Sequence, residues 1–155
     1  MSVGRRIAVT VAGLATIAGA GLATAPTAAA ASCAPSQPCL WLFYNSENKG
    51  SHFLTTKSIS NLAGYTFTTA GAGKGLTVKN NAASANFRAD NNFYTSSGSI
   101  FYSSGYNGPC EKLESMENGI VFAPRLVRTY NENASVKLLA GYSNVGNHPK
   151  NCYNW

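Results

Sequence analysis

In 155 residues with 12% charged side chains and a formal net charge of +6 there is room for one domain or two tightly packed repeats. Beyond residue 31 the balance is ten Lys and Arg against six Asp and Glu, a net charge of +4 that supports solubility and weak attraction to anionic surfaces. The basic residues there (Lys49, Lys57, Lys74, Lys79, Arg88, Lys112, Arg125, Arg128, Lys137, Lys150) stand singly, which excludes a nucleic-acid groove built on a basic run.

The chain opens with Arg5 and Arg6, an apolar run from Ile7 to about Leu22, and small residues from Ala28 to Ala31. That order is a signal peptide, residues 1–31, with cleavage near Ala31. The run is rich in Gly, Ala and Thr, and no stop-transfer charges follow it, so no membrane anchor is expected. The chain is read as secreted, with a mature domain of residues 32–155. All four cysteines, Cys33, Cys39, Cys110 and Cys152, lie in that part, and an even number in an oxidising compartment reads as disulfides. Of the three possible connectivities, Cys33–Cys39 suits the proline-bent segment 34–38. With Cys110–Cys152 it forms the expected pairing, the second bridge closing a long loop.

The mature part is a succession of short apolar or alternating runs: Cys39–Tyr44, Ser51–Thr55, Gly64–Phe67, Leu76–Lys79, Asn86–Arg88, Phe93–Thr95, Ser99–Ser103, Gly119–Phe122, Leu126–Tyr130 and Val136–Ala140. Their length and spacing predict an all-β sandwich or barrel. Only Ile59–Leu62 and Glu111–Glu117 offer one or two helical turns. Turns are predicted at Asn48-Lys49-Gly50, Ser97-Gly98, Asn107-Gly108-Pro109, Asn118-Gly119 and Asn144 to Gly146, and Gly71 to Gly75 reads as a mobile loop.

One pattern occurs twice. Leu42-Phe43-Tyr44 is followed by five residues and Gly50; Ile100-Phe101-Tyr102, 58 residues on, is followed by five residues and Gly108. Asn80-Asn81-Ala82-Ala83-Ser84 then resembles Asn131-Glu132-Asn133-Ala134-Ser135, 51 residues apart. Cues recurring in one order indicate one supersecondary unit used twice, as repeat 1 (about 38–92) and repeat 2 (about 97–141), with a tail of 142–155. Antiparallel strands with long returns, in two copies, point to paired Greek keys closing one sandwich. Glycine supplies the positive φ of a tight hairpin, and the later serine can bond the backbone of the folded hairpin.

An aromatic, five residues and Gly, with Ser on a later strand, resembles the Greek-key signature of βγ-crystallins. The matching sets are Tyr44, Gly50, Ser84 and Tyr102, Gly108, Ser135. The leader, the Cys33-x5-Cys39 opening and the strand Leu40-Trp41-Leu42-Phe43-Tyr44 further resemble small secreted bacterial inhibitors of metalloproteinases on that fold. The resemblance implies stoichiometric inhibition of an extracellular protease by a rigid exposed loop, because a loop already ordered loses little entropy on binding. The nearest candidate is Gly108-Pro109-Cys110-Glu111, although the inhibitor pattern pairs two nearby cysteines there and Cys110 has no neighbour. Microbial βγ-crystallins also bind calcium through Asn/Asp pairs followed by Ser. Asn80, Asn81, Ser84 and Asn131, Glu132, Ser135 fit that pattern loosely, with Glu132 the only carboxylate. Calcium wants six to eight oxygens with more charge, so any binding should be weak and no other cofactor is expected.

An enzyme is not expected. The mature chain has two histidines, His52 and His148, and none of the zinc, nucleophile-elbow or phosphate-loop spacings. Glu111, Glu114 and Glu117 are read as a solvated acidic face, and Tyr94, Tyr106, Tyr142, Tyr153 and Trp155 as aromatics packed over hairpins or exposed for stacking. The alternatives to protease inhibition are a calcium-binding structural or envelope-associated domain and a secreted antimicrobial protein of killer-toxin type. A monomer is expected.

Overall fold

The computed structural model describes residues 32–141 and 148–155; the expected leader, Tyr142 and the turn at Asn144 to Gly146 lie outside them. Eight strands form two sheets: β1 (Cys39–Phe43), β2 (His52–Thr55), β3 (Ser84–Arg88), β4 (Ser96–Ser103), β5 (Asn107–Ser115), β6 (Ile120–Ala123), β7 (Ser135–Leu139) and β8 (Tyr153–Asn154). No helix occurs among the described residues. One sheet has the order β2-β1-β3-β6 and the other β7-β4-β5-β8, all neighbours antiparallel except β5 and β8.

The order shows how the halves interlock. The first half supplies β1, β2 and β3 to one sheet, and the second half completes it with β6. In return the first half sends Ile59 across to pair with Val136 of β7. Each half is therefore a Greek key whose third segment joins the other's sheet, and neither can close its sandwich alone. This is the crystallin-like, disulfide-bonded, all-β arrangement that the repeats imply.

The core follows from strand alternation. Leu40 and Leu42 of β1, Ala85 and Phe87 of β3, Ile100, Leu113 and Val136 all meet between the sheets, fully buried. At about 1.5–3 kcal/mol for each buried large aliphatic or aromatic side chain, this layer is the main source of stability. The link between the halves is tied down as well: Ser96 Oγ donates to buried Asp90 Oδ1 at 2.7 Å.

Several expected elements differ. Glu111–Glu117 is not helical: Glu111 to Ser115 extends β5, because pairing with β4 from Ser96 to Ile100 outweighs a weak local preference. Ile59–Leu62 is likewise drawn into extended contact, with Ile59 N donating to Val136 O at 2.8 Å. Gly64–Phe67 and Leu76–Lys79 form no strands but share an isolated bridge, Thr66 with Thr77. Phe93–Thr95 and Leu126–Tyr130 are irregular; Phe93 is 80% exposed, whereas Leu126 is buried. Ser97-Gly98 is no turn but lies within β4, where a Cβ on Gly98 would stand 2.6 Å from Phe87 Cδ2. There glycine serves close packing between the sheets. The Gly71–Gly75 loop is exposed except at Gly73 and is tethered to the first hairpin: Ser51 N donates to Ala72 O at 2.8 Å, and the Tyr44 ring lies where a Cβ on Gly73 would be.

Candidate functional site

Two folded hairpins carry the repeated signature. In the first, Ser84 Oγ donates to Asn45 O at 2.6 Å and accepts from Asn48 N at 3.1 Å. In the second, Ser135 Oγ donates to Ser103 O at 2.7 Å and accepts from Tyr106 N at 3.0 Å. A hydroxyl is one donor and two acceptor lone pairs, so each serine can fix both limbs of its turn. Both turns need left-handed residues: Glu47, Asn48 and Gly50 in one, Gly105, Tyr106 and Gly108 in the other. The aromatics behave differently. Tyr44 folds inward against Phe67, centroids 5.7 Å apart, whereas Tyr102 stays 45% exposed.

The second hairpin, 103–109, projects from the junction of β4 and β5, and Gly105, Asn107, Gly108 and Pro109 are exposed. It is nonetheless anchored from several sides. Gly105 N donates to Ser60 O at 2.8 Å, Asn107 Nδ2 to Gly105 O at 3.2 Å, and Lys79 Nζ to Ser104 Oγ at 3.2 Å. The Tyr106 ring meets Phe101 edge-on at 6.0 Å. Cys110, the first buried residue after the tip, is bridged to Cys152, and the other pair is Cys33–Cys39, so the expected connectivity is present.

The four residues expected to form an inhibitory loop are thus split. All lie in β5; Gly108 and Pro109 are exposed, while Cys110 and Glu111 are buried. Cys110 pairs with Phe101 of β4, and Glu111 lies between Ile100 of β4 and Tyr153 of β8. The exposed, fixed segment begins earlier, at Ser104.

Glu111 was expected on a solvated acidic face and is instead fully buried. Its Oε1 accepts from the backbone N–H of Val127 (2.6 Å), Arg128 and Thr129 (3.2 Å), and its Oε2 accepts from Trp155 Nε1 at 2.8 Å. Successive N–H groups converging on one oxygen make a nest for negative charge. The carboxylate joins β5, the irregular segment 126–130 and the tail. Trp155 therefore packs against the core rather than standing free for stacking, with Tyr153 edge-on to it at 5.2 Å. Tyr94 and Tyr153 keep substantial exposure.

The residues matched to a calcium pattern gather where the two halves meet, but their groups are engaged in the turns. Asn80 N donates to Asn133 O at 2.8 Å, Asn131 N to Ala82 O at 3.0 Å and Asn81 Nδ2 to Lys79 O at 3.1 Å. Buried Asn133 is the centre: its Oδ1 accepts from Ala82 N and its Nδ2 donates to Ala82 O and Thr129 O. Ser84 and Ser135 point into their hairpins, and the Glu132 side chain is exposed. No cluster of three or more His, Cys, Asp or Glu suited to a metal occurs among the described residues.

Ser97, His148 and Glu114 have the composition of a catalytic triad without its geometry. Ser97 Oγ (2.8 Å) and Glu114 Oε1 (3.3 Å) both address His148 Nδ1, so the ring cannot relay a proton from one to the other, and Ser97 is fully buried. His52 lies tilted against Phe43, ring centroids 5.3 Å apart, and faces Thr69 Oγ1 at 3.2 Å; burial lowers its pKa below the ordinary 6.5.

No protein-family model and no curated relative matches the chain. Among solved structures it is similar to a βγ-crystallin from Ciona intestinalis, at 21% identity and TM-score 0.43 over 65% of this chain and 99% of that one. It is also similar to a structure described as "Evolution of the eye lens beta-gamma-crystallin domain fold", at 12% identity and TM-score 0.45 over 71% of this chain and 93% of the other. At these values the likeness is one of fold, and the Greek-key assignment stands on the strand order and register given above.

Proposed function

We propose that the chain is an exported binding protein that inhibits an extracellular proteinase, with a metalloproteinase as the target, through the β4–β5 hairpin. One observation carries this reading: Ser104 to Pro109 is largely exposed yet held by Ser135, Ser60, Lys79 and, at its base, the Cys110–Cys152 bridge. A projecting segment with its conformation already fixed is what tight, stoichiometric binding requires. The two disulfides suit an oxidising compartment, in keeping with the expected leader. The reactive segment is shifted toward Ser104–Pro109 from the four residues suggested by resemblance, since Cys110 and Glu111 are interior.

Titration of a thermolysin-like metalloproteinase with the purified, oxidised protein should reach a stoichiometric endpoint, and Tyr106→Ala should weaken it at least tenfold without unfolding the domain. Full protease activity at micromolar excess overturns the reading. Calcium binding has less support, because Ser84, Ser135 and Asn133 already spend their polar groups on the turns.

A further inference from the structure

The two sheets have four lateral edges, β2, β6, β7 and β8, and among the described residues neighbouring segments cover two of them. Beside β2, Thr68 N donates to His52 O at 3.2 Å, His52 N to Thr69 Oγ1 at 2.8 Å and Ser51 N to Ala72 O at 2.8 Å. Beside β7, Ile59 and Val136 exchange both backbone bonds, and Ser58 Oγ both accepts from Leu138 N and donates to Leu138 O. The third edge is β8, only two residues long and so a small template for pairing. The fourth edge is β6, which among the described residues pairs with β3 alone.

The phase of that pairing fixes what the open edge presents. Ala89 N donates to Gly119 O at 3.0 Å, so the rungs two and four residues further along, Phe87 with Val121 and Ala85 with Ala123, carry the β3–β6 bonds. The N–H and C=O groups of Ile120 and Phe122 therefore point away from β3. No hydrogen bond reaches them from the described residues. Their side chains are also the exposed ones, at 52% and 57%. The segment Asn118 to Ala123 contains no charged residue and no proline, so neither charge nor proline blunts this four-residue edge.

We infer that β6 is the docking edge for a second copy of this chain, joined antiparallel about a two-fold axis at Val121. This register sets Ile120 opposite Phe122 of the second copy and Phe122 opposite its Ile120. Both rungs are of the hydrogen-bonded kind, because all four residues have their backbone groups free on that side. Two apolar cross-strand pairs then form on one face, with no like charges brought together. The two four-stranded sheets become one of eight strands, and the open β6 edge disappears. The β4–β5 hairpin is not involved, so dimerisation and protease binding are separable.

Sedimentation velocity over roughly 10 μM to 1 mM, the range for a small interface, tests this together with amide hydrogen exchange by NMR. The expected result is a monomer–dimer equilibrium in which the Ile120 and Phe122 amides exchange at least tenfold more slowly at high than at low concentration, while Val121 and Ala123 do not change. The double variant Ile120→Lys/Phe122→Lys, altered only at half-exposed side chains, should keep its melting temperature and sediment as a monomer. A wild-type monomer throughout that range overturns the inference. So does a dimer that survives the double variant, or one whose Ile120 and Phe122 amides exchange freely. Protection of those amides only on adding a metalloproteinase would assign the edge to the protease instead.

Discussion

Glu111 is the residue on which three distant parts of the chain converge. Its two oxygens receive three backbone N–H groups from 127–129 and the Trp155 indole. Hydrogen bonds to a charged acceptor are worth about 1.5–3 kcal/mol, and donors left unmet in the interior cost as much again. Glu111→Gln should lower unfolding free energy in urea by about 2 kcal/mol, and Trp155 fluorescence should move to the red as the indole loses its partner. Gly98→Ala is expected to cost about 1–3 kcal/mol by overpacking, because its Cβ would sit 2.6 Å from Phe87 Cδ2. His52 gives a pH signature of known sign. Burial lowers its folded pKa beneath 6.5, so the unfolded chain binds the proton more readily. The contribution is fully present above 6.5 and is lost as pH falls from there through the lowered folded value. The melting temperature should decline more over that window in the wild type than in His52→Gln.

At the scale of elements, the two folded hairpins share one construction and differ in what it serves. Ser84→Ala and Ser135→Ala each remove a donor and an acceptor from a turn, and each should destabilise by about 1–3 kcal/mol in chemical denaturation. Only Ser135→Ala should also reduce protease inhibition, since it frees Tyr106 at the exposed tip. Equal losses of inhibition in the two variants would point to general destabilisation and against that hairpin as the site. The serine role was legible in the sequence because aromatic, glycine and serine recur in fixed order, and positive φ at the glycine is a local demand. The extension of β5 through Glu111 was not, because a short segment rich in Glu and Lys carries no strand pattern of its own. Pairing to β4 imposes it.

For the whole molecule, the exchange of segments between halves and the Cys110–Cys152 bridge set cooperativity. Closing a loop with sequence separation 42 contributes about 4 kcal/mol in the chain-entropy model, and one of separation 6 about 2 kcal/mol. Removing Cys110–Cys152 by paired alanine substitutions should therefore lower stability more than removing Cys33–Cys39. It should also release β8 and Trp155, seen as faster amide exchange at Tyr153 and Asn154. Similar losses for both bridges would show that the tail is held by Glu111 and β5 pairing alone.

Local pattern was enough for the all-β class, the two Greek-key cues, the hairpin serines and the small Cys33–Cys39 loop, whereas Cys110–Cys152 was an expectation among three connectivities that the fold resolved. The first four rest on chemistry readable within a short span: alternation, a glycine with positive φ, a proline-bent loop. Tertiary structure alone decided that Glu111 is buried, that 120–123 belongs to the first half's sheet, that Trp155 is an interior donor and that β6 pairs on one side alone among the described residues. Those outcomes depend on partners far apart in the chain. Whether a carboxylate faces water or a nest of amides is set by what folds back onto it, which no local pattern records.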